Sequence, residues 1–176
     1  MVAKIFRHAL FASSLLIGAS LLAGPAALAQ DTSGGQVSGS VQAINEVTFT
    51  PTTGTAITGG EAVAAYPIGA LAVQDNGAAG WILEVSSENG GRLVNTVTPA
   101  DFIEYTDLTT GAIGASTATA RTLAVADQDY ELHDSAFDAA VAAGVTGVNV
   151  TAAIAADQFV PVGTYADTLT FTLTSK

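Results

Sequence analysis

The densest group of chemically capable side chains is a run of carboxylates in the last third of the chain, at Asp127, Asp129, Glu131, Asp134 and Asp138. Such oxygen density suits Ca²⁺, and Asp138 stands twelfth counting from Asp127, where an EF-hand loop has its last ligand. Leu132, however, occupies the position at which that loop needs glycine. A solvated strand edge leading into a helix N-terminus explains the same acids, and we expect no metal site.

Residues for catalysis are few. His133 is the only histidine beyond the first thirty residues, the chain has no cysteine, and no G-x-S-x-G nucleophile turn occurs. A Ser/His/Asp site built on His133 is an open alternative, but no spacing positions a serine for it. Glu84 and Glu88 likewise have no spacing that marks an acid/base pair. We expect neither enzyme activity nor a cofactor.

Two segments each place an aromatic residue and a leucine two positions apart. They are Trp81-Ile82-Leu83 in mid-chain and Phe171-Thr172-Leu173 near the end. In an extended strand, both side chains of each pair lie on one face. The residue types alone favour packing of all four side chains in the core of a sandwich.

Longer phrases surround these segments. The first runs Leu71-Ala72-Val73-Gln74-Asp75-Asn76-Gly77 and then Gly80-Trp81-Ile82-Leu83; the second runs Val162-Gly163-Thr164-Tyr165-Ala166-Asp167-Thr168-Leu169 and ends in Phe171-Thr172-Leu173. This arrangement resembles the WxL family of bacterial cell-surface domains, with Phe171 where the family has its second tryptophan. Phe171 keeps the aromatic ring but lacks the indole N–H donor. The resemblance implies that Trp81, Leu83, Phe171 and Leu173 come together and contribute to noncovalent attachment to peptidoglycan.

The first 29 residues have the pattern of a secretory signal peptide. A basic start with Lys4 and Arg7 precedes an apolar run from Ala9 to Leu22, and small residues follow. We predict cleavage between Ala29 and Gln30. The run is shorter than the roughly 20 residues of a spanning helix, which favours a cleaved signal over an uncleaved membrane anchor. No later stretch is long and apolar enough to cross a membrane, so we expect no membrane insertion after cleavage. The predicted location is therefore secreted, at the cell surface or in the cell envelope.

The exported part is strongly acidic. All sixteen Asp and Glu residues lie in it, against Arg92, Arg121 and Lys176. Such a chain repels nucleic acid and anionic membranes, so the partners we expect are cell-wall glycan or other surface proteins. The absence of cysteine excludes disulfides.

Alternating apolar residues and turn signals predict a β-rich chain. Residues 30–40 are a flexible leader and residues 41–176 a single domain. Hairpin turns are predicted at residues 75–77 and 88–91. One short helix is predicted over residues 136–143, capped by Asp134 or Ser135 and ended by Gly144. Strands are predicted at residues 41–50, from 71, at 81–86, 93–97, 102–106, 119–125, 148–154 and along a closing strand at 165–173.

This pattern indicates an all-β, antiparallel, immunoglobulin-like β-sandwich. The leading functional hypothesis is a noncatalytic cell-surface protein. The alternative is a structural pilus or spore-coat-like subunit that assembles by strand donation, because the closing strand also reads G-T-Y…D-T-L-T. In that case residues 36–49 are either a donor extension or the domain's own first strand.

Overall fold

The computed structural model describes Gln36 and residues 38–176, and the predicted signal peptide and its cleavage site lie outside the described residues. A compact unit spans Ser40–Lys176. It consists mostly of antiparallel strands in two sheets, with one short helix in the described part. The predicted class, an all-β antiparallel sandwich with one short helix, is confirmed.

The strands, in chain order, are β1 (Asn45–Pro51), β2 (Val63–Asp75), β3 (Trp81–Ser87), β4 (Arg92–Asn95), β5 (Phe102–Thr110), β6 (Thr119–Arg121), β7 (Tyr130–Ser135), β8 (Val145–Ile154), β9 (Tyr165–Ala166) and β10 (Leu169–Ser175). The larger sheet has the order β1-β2-β8-β5-β4-β9, with β6 beside β5. The smaller sheet has the order β10-β3-β7. Alternate residues of both sheets point inward, as period-two apolar patterning requires.

The core joins side chains from the two sheets. Leu71 and Val73 of β2, Leu108 of β5 and Val150 of β8 come from the larger sheet, and each is at most 1% exposed. The smaller sheet supplies the inward residues of β3, which alternate fully buried and partly buried along Trp81–Ser87. Burial of such side chains stabilises the fold by about 1.5–3 kcal/mol each.

The helix α1 (Ala139–Ala143) is shorter than predicted and has a different cap. Asp138 is the N-cap, and its carboxylate accepts a hydrogen bond from Ala140 N at 2.8 Å. The predicted caps are wrong because Asp134 and Ser135 belong to β7, opposite Ile82 and Trp81 of β3. Gly144 ends the helix as predicted, with φ of 96°.

Several strand boundaries also differ from the prediction. β1 starts at Asn45 rather than residue 41, because Asn45 pairs with Asp75, the last residue of β2. β4 ends at Asn95, whose side-chain oxygen accepts hydrogen bonds from the next turn. β2 begins eight residues earlier than predicted, at Val63, since its register shifts near Pro67 obscure the alternation. β6 covers only Thr119–Arg121, and β5 and β8 are longer than predicted.

The two predicted hairpin turns are instead crossings between sheets. β2 belongs to the larger sheet and β3 to the smaller, and β4 returns the chain to the larger one. Gly80 makes the first crossing possible: its φ is 103°, and a Cβ there would lie 2.0 Å from Ser135 O. Because pairing depends on sheet membership as well as on turn residues, Asp-Asn-Gly alone was an insufficient hairpin signal.

The predicted closing strand is also divided between the sheets. β9 pairs with β4 in the larger sheet, whereas β10 pairs with β3 in the smaller one. The division falls at Asp167, whose carboxylate accepts a hydrogen bond from Thr168 N at 2.8 Å and thereby turns the chain.

Candidate functional site

The two aromatic-x-leucine segments lie side by side. β10 pairs antiparallel with β3, so that Leu173 is opposite Leu83. In the same register Ser175 is opposite Trp81, and Phe171 is opposite Val85. Strands almost ninety residues apart in sequence thus form one two-stranded unit, which we call the twin-motif pair.

The side chains of the twin-motif pair are mainly core. Trp81 and Leu83 are 0% exposed and Leu173 is 8% exposed. Phe171 is half-buried, and its ring packs against that of Phe49 in β1 with centroids 4.8 Å apart. In this conformation neither face of Trp81 is open to a sugar ring. The packing interpretation therefore accounts for these residues, and their role in ligand binding stays a prediction.

A buried carboxylate fixes the end of β10. Asp75 is 1% exposed, and its side chain accepts hydrogen bonds from Ser175 Oγ, from Asn45 Nδ2 at 3.1 Å and from Gly77 N at 2.9 Å. The backbone adds a bond from Lys176 N to Gly80 O at 2.8 Å. Asp75 belongs to the first phrase of the family resemblance, and here it joins β1, β2 and the chain's last residues.

A second carboxylate fixes the start of β10. Asp167 accepts hydrogen bonds from Tyr105 OH at 2.5 Å, Ser87 Oγ at 2.7 Å and Asn89 N at 3.1 Å, besides Thr168 N. Burial, together with this hydrogen bond to Asp167, raises the pKa of Tyr105 well above its usual value. Asp167 therefore links β5, the end of β3 and the turn after it, and both carboxylates serve the fold.

His133 lies inside the sandwich rather than at a surface. It is 4% exposed, with Nε2 2.7 Å from Thr110 Oγ1 and Nδ1 3.2 Å from Ser116 Oγ. Burial, and secondarily the charge of Arg121, lowers its pKa. The structure thus supplies a serine neighbour that spacing did not predict. Ser116 Oγ also donates a hydrogen bond to Ile113 O at 2.8 Å. This hydroxyl therefore stabilises the loop from Ile113 to Ser116 and is not positioned as a free nucleophile.

The carboxylate run in the last third is spread over separate structural roles. Asp134 forms an ion pair with Lys176 at 2.5 Å, and Asp138 caps α1. Hydrogen bonds from Ala115 N and Ala140 N lower the pKa of Asp138. Among the described residues, no three acidic or histidine side chains are grouped as a metal ion requires.

An open cleft lies at one end of the larger sheet, and the sequence did not point to it. Its volume is about 400 Å³, within the range of small-molecule sites. Two loops form it, one between β1 and β2 and the other between β8 and β9, and they close over Tyr66, Ile103 and Ile154. No pattern in the sequence indicates that the loop between β1 and β2 meets the Pro161-Val162-Gly163 segment.

Hydrogen bonds hold the cleft open. Tyr66 OH donates to Thr55 O at 3.0 Å, and Tyr165 OH donates to Pro161 O at 2.6 Å. Burial raises the pKa of Tyr66. Gln158 bonds the backbone of Glu104 in both directions, at 2.7 and 2.8 Å, which ties the second loop to β5.

The two loops are also bonded to each other. Gly60 N donates to Gln158 O at 3.1 Å, and Asp157 N donates to Gly60 O at 3.0 Å. Hydrogen bonds therefore join the two walls of the cleft before any ligand binds, so binding needs little further ordering of the chain.

Fold and site together define an acidic all-β sandwich with a preformed cleft. No protein-family model matches the chain, and comparison with curated proteins and with solved structures gives no match. In the described residues, no helix has the length and apolar character needed to cross a bilayer.

Proposed function

We propose that this is a noncatalytic protein of the cell envelope, exported by its N-terminal segment and associated noncovalently with peptidoglycan or with a surface assembly. The signal-peptide pattern of residues 1–29 supports export. The sixteen acidic residues of the exported part support a partner other than nucleic acid or an anionic membrane.

The observation that carries the proposal is how the polar side chains are used. Asp75, Asp167 and His133 each face partners inside the fold, whereas the cleft is an open concave surface. These carboxylates and the histidine form hydrogen bonds within the fold, and the cleft is preformed. Such a protein is suited to binding a ligand rather than to catalysis.

Cosedimentation tests this proposal. The exported chain, Gln30–Lys176, is mixed with insoluble peptidoglycan at physiological salt and pelleted, with silica particles as the control for nonspecific sedimentation. We expect the chain to pellet with peptidoglycan and to stay in solution with silica. Retention in solution with both, for a chain shown to be folded, would contradict wall association.

One observation favours a second candidate, the structural subunit. β10 is an edge strand of the smaller sheet: among the described residues its backbone pairs with β3, and no strand pairs with its other edge. An edge of this kind can accept an added strand.

Light scattering separates the two candidates. A subunit that assembles by strand donation should form concentration-dependent polymers, and deletion of residues 36–44, the part of the candidate donor extension that precedes β1, should abolish them. The envelope-binding candidate instead requires a monomer over the same concentration range.

A further inference from the structure

We propose that the cleft is a binding site for a neutral glycan segment, with Phe159 as an aromatic platform at its lip. This inference rests on the proposed function and names the ligand class and the surface that would serve it. It moves the glycan contact away from the twin-motif pair, whose tryptophan is 0% exposed.

The shape and the lining match a sugar. The floor is apolar, formed by the buried side chains of Ile103 and Ile154 together with the ring of Tyr66. The walls include Thr55 and Thr58, whose side chains carry hydroxyl groups. A pyranose ring presents both a C–H face and a rim of hydroxyls, so one ligand satisfies both kinds of lining.

The charge of the cleft argues for a neutral ligand. Of the described residues that line it, the only charged one is Glu61, and the chain carries a net charge of −11. A phosphate- or carboxylate-rich polymer would be repelled by this surface, and no lining lysine or arginine offsets that repulsion.

Phe159 extends the cleft outward. It lies between Gln158 and Val160, both of which line the cleft, yet it is 79% exposed. The edge of its ring rests on Gly60, where an added Cβ would come within 2.5 Å of the ring. This contact places an exposed aromatic ring against Gly60, a lining residue of the cleft, and Val162, which also lines the cleft, is fully exposed. Solvent-exposed aromatic and apolar side chains at a cleft rim are typical of a contact surface.

The test is an NMR titration of the folded, ¹⁵N-labelled chain with soluble oligomers of N-acetylglucosamine. We expect amide shifts to concentrate at Gly59, Gly60 and Gly163, which line the cleft. The Phe159→Ala variant should raise the Kd about three- to tenfold, the loss of one aromatic contact. Phe137→Ala is the matched control, because Phe137 is also exposed, at 52%, and belongs to neither of the two loops that form the cleft; its Kd should not change.

Each outcome is decisive. Shifts confined to β3 and β10, no shifts at millimolar sugar, or equal Kd values for both variants would overturn the cleft proposal. The wild-type shift map decides the matter even if a variant does not fold. If the chain pellets with peptidoglycan but these amides do not move, envelope association stands and the cleft proposal fails. If these amide signals shift but the chain does not pellet, the cleft proposal stands and envelope association fails.

Discussion

Removing the Asp167 carboxylate should loosen three segments of the sandwich at once. Two of its four hydrogen bonds come from buried groups, Tyr105 OH and Ser87 Oγ, whose residues are 4% and 0% exposed. A hydrogen bond to a charged group contributes about 1.5–3 kcal/mol, and water can replace the two bonds to backbone N–H groups. Asp167→Ala should therefore lower the free energy of unfolding by about 3–6 kcal/mol. For a unit of this size that is a fall in Tm of roughly 10–15 °C.

A double-mutant cycle isolates the central bond. Urea unfolding would be measured for the parent, Asp167→Ala, Tyr105→Phe and the double variant, with Asp129→Ala as the control for an exposed aspartate. We expect a coupling energy of about 1.5 kcal/mol or more between the two residues. The control should change stability by less than about 0.5 kcal/mol.

A coupling energy below about 0.5 kcal/mol would refute this reasoning, because it would mean that Asp167 and Tyr105 stabilise the fold independently. The same conclusion would follow if Asp167→Ala were no more destabilising than the Asp129→Ala control.

Three further predictions concern the interior and the helix. Trp81→Ala should cost about 3–5 kcal/mol in urea unfolding, whereas Trp81→Phe should cost much less because the buried indole N–H has no partner among the described residues. His133 has a lowered pKa in the fold, so the unfolded chain binds the proton first. The free energy of unfolding should fall as pH drops below about 6.5, and this slope should flatten in His133→Gln. Asp138 caps α1 by accepting a hydrogen bond at a side-chain oxygen, so the cap should be retained in Asp138→Asn but lost in Asp138→Ala, as seen in the hydrogen exchange of α1.

These three predictions have distinct contrary results. Equal losses for Trp81→Phe and Trp81→Ala would show that the indole N–H matters. An unchanged acid slope in His133→Gln would assign the slope to other groups. Equal hydrogen-exchange rates of the α1 amides in Asp138→Asn and Asp138→Ala would show that the Asp138 cap does not stabilise the helix.

The sequence was informative where a pattern is local. Alternation identified the strand at Trp81 and the strand at Leu173, and Gly144 marked the end of the helix, because side-chain period and glycine conformation are properties of a few adjacent residues. The sequence did not indicate which of the two sheets each strand joins. The crossings after Asp75 and Ser87 depend on which sheet each strand joins, and that depends on contacts between residues distant in the chain.

The cleft illustrates the same limit for the site. Its walls come from Thr55–Glu61 and Gln158–Gly163, loops separated by about a hundred residues, and Gly60 and Gln158 meet only in the folded chain. The carboxylates Asp75 and Asp167 were visible in the resembling phrases. Their hydrogen-bonding roles required knowledge of where Ser175, Ser87 and Tyr105 lie.

Trp81 fluorescence tests most directly whether the side chains of the twin-motif pair are buried in the core, because the chain has a single tryptophan. Acrylamide quenching would be measured for the folded chain with and without soluble peptidoglycan fragments. Because the Trp81 indole is 0% exposed, we predict a blue-shifted emission, weak quenching and no change in quenching when the fragments are added. Ready quenching of the folded chain, or protection that appears only with the fragments, would contradict it.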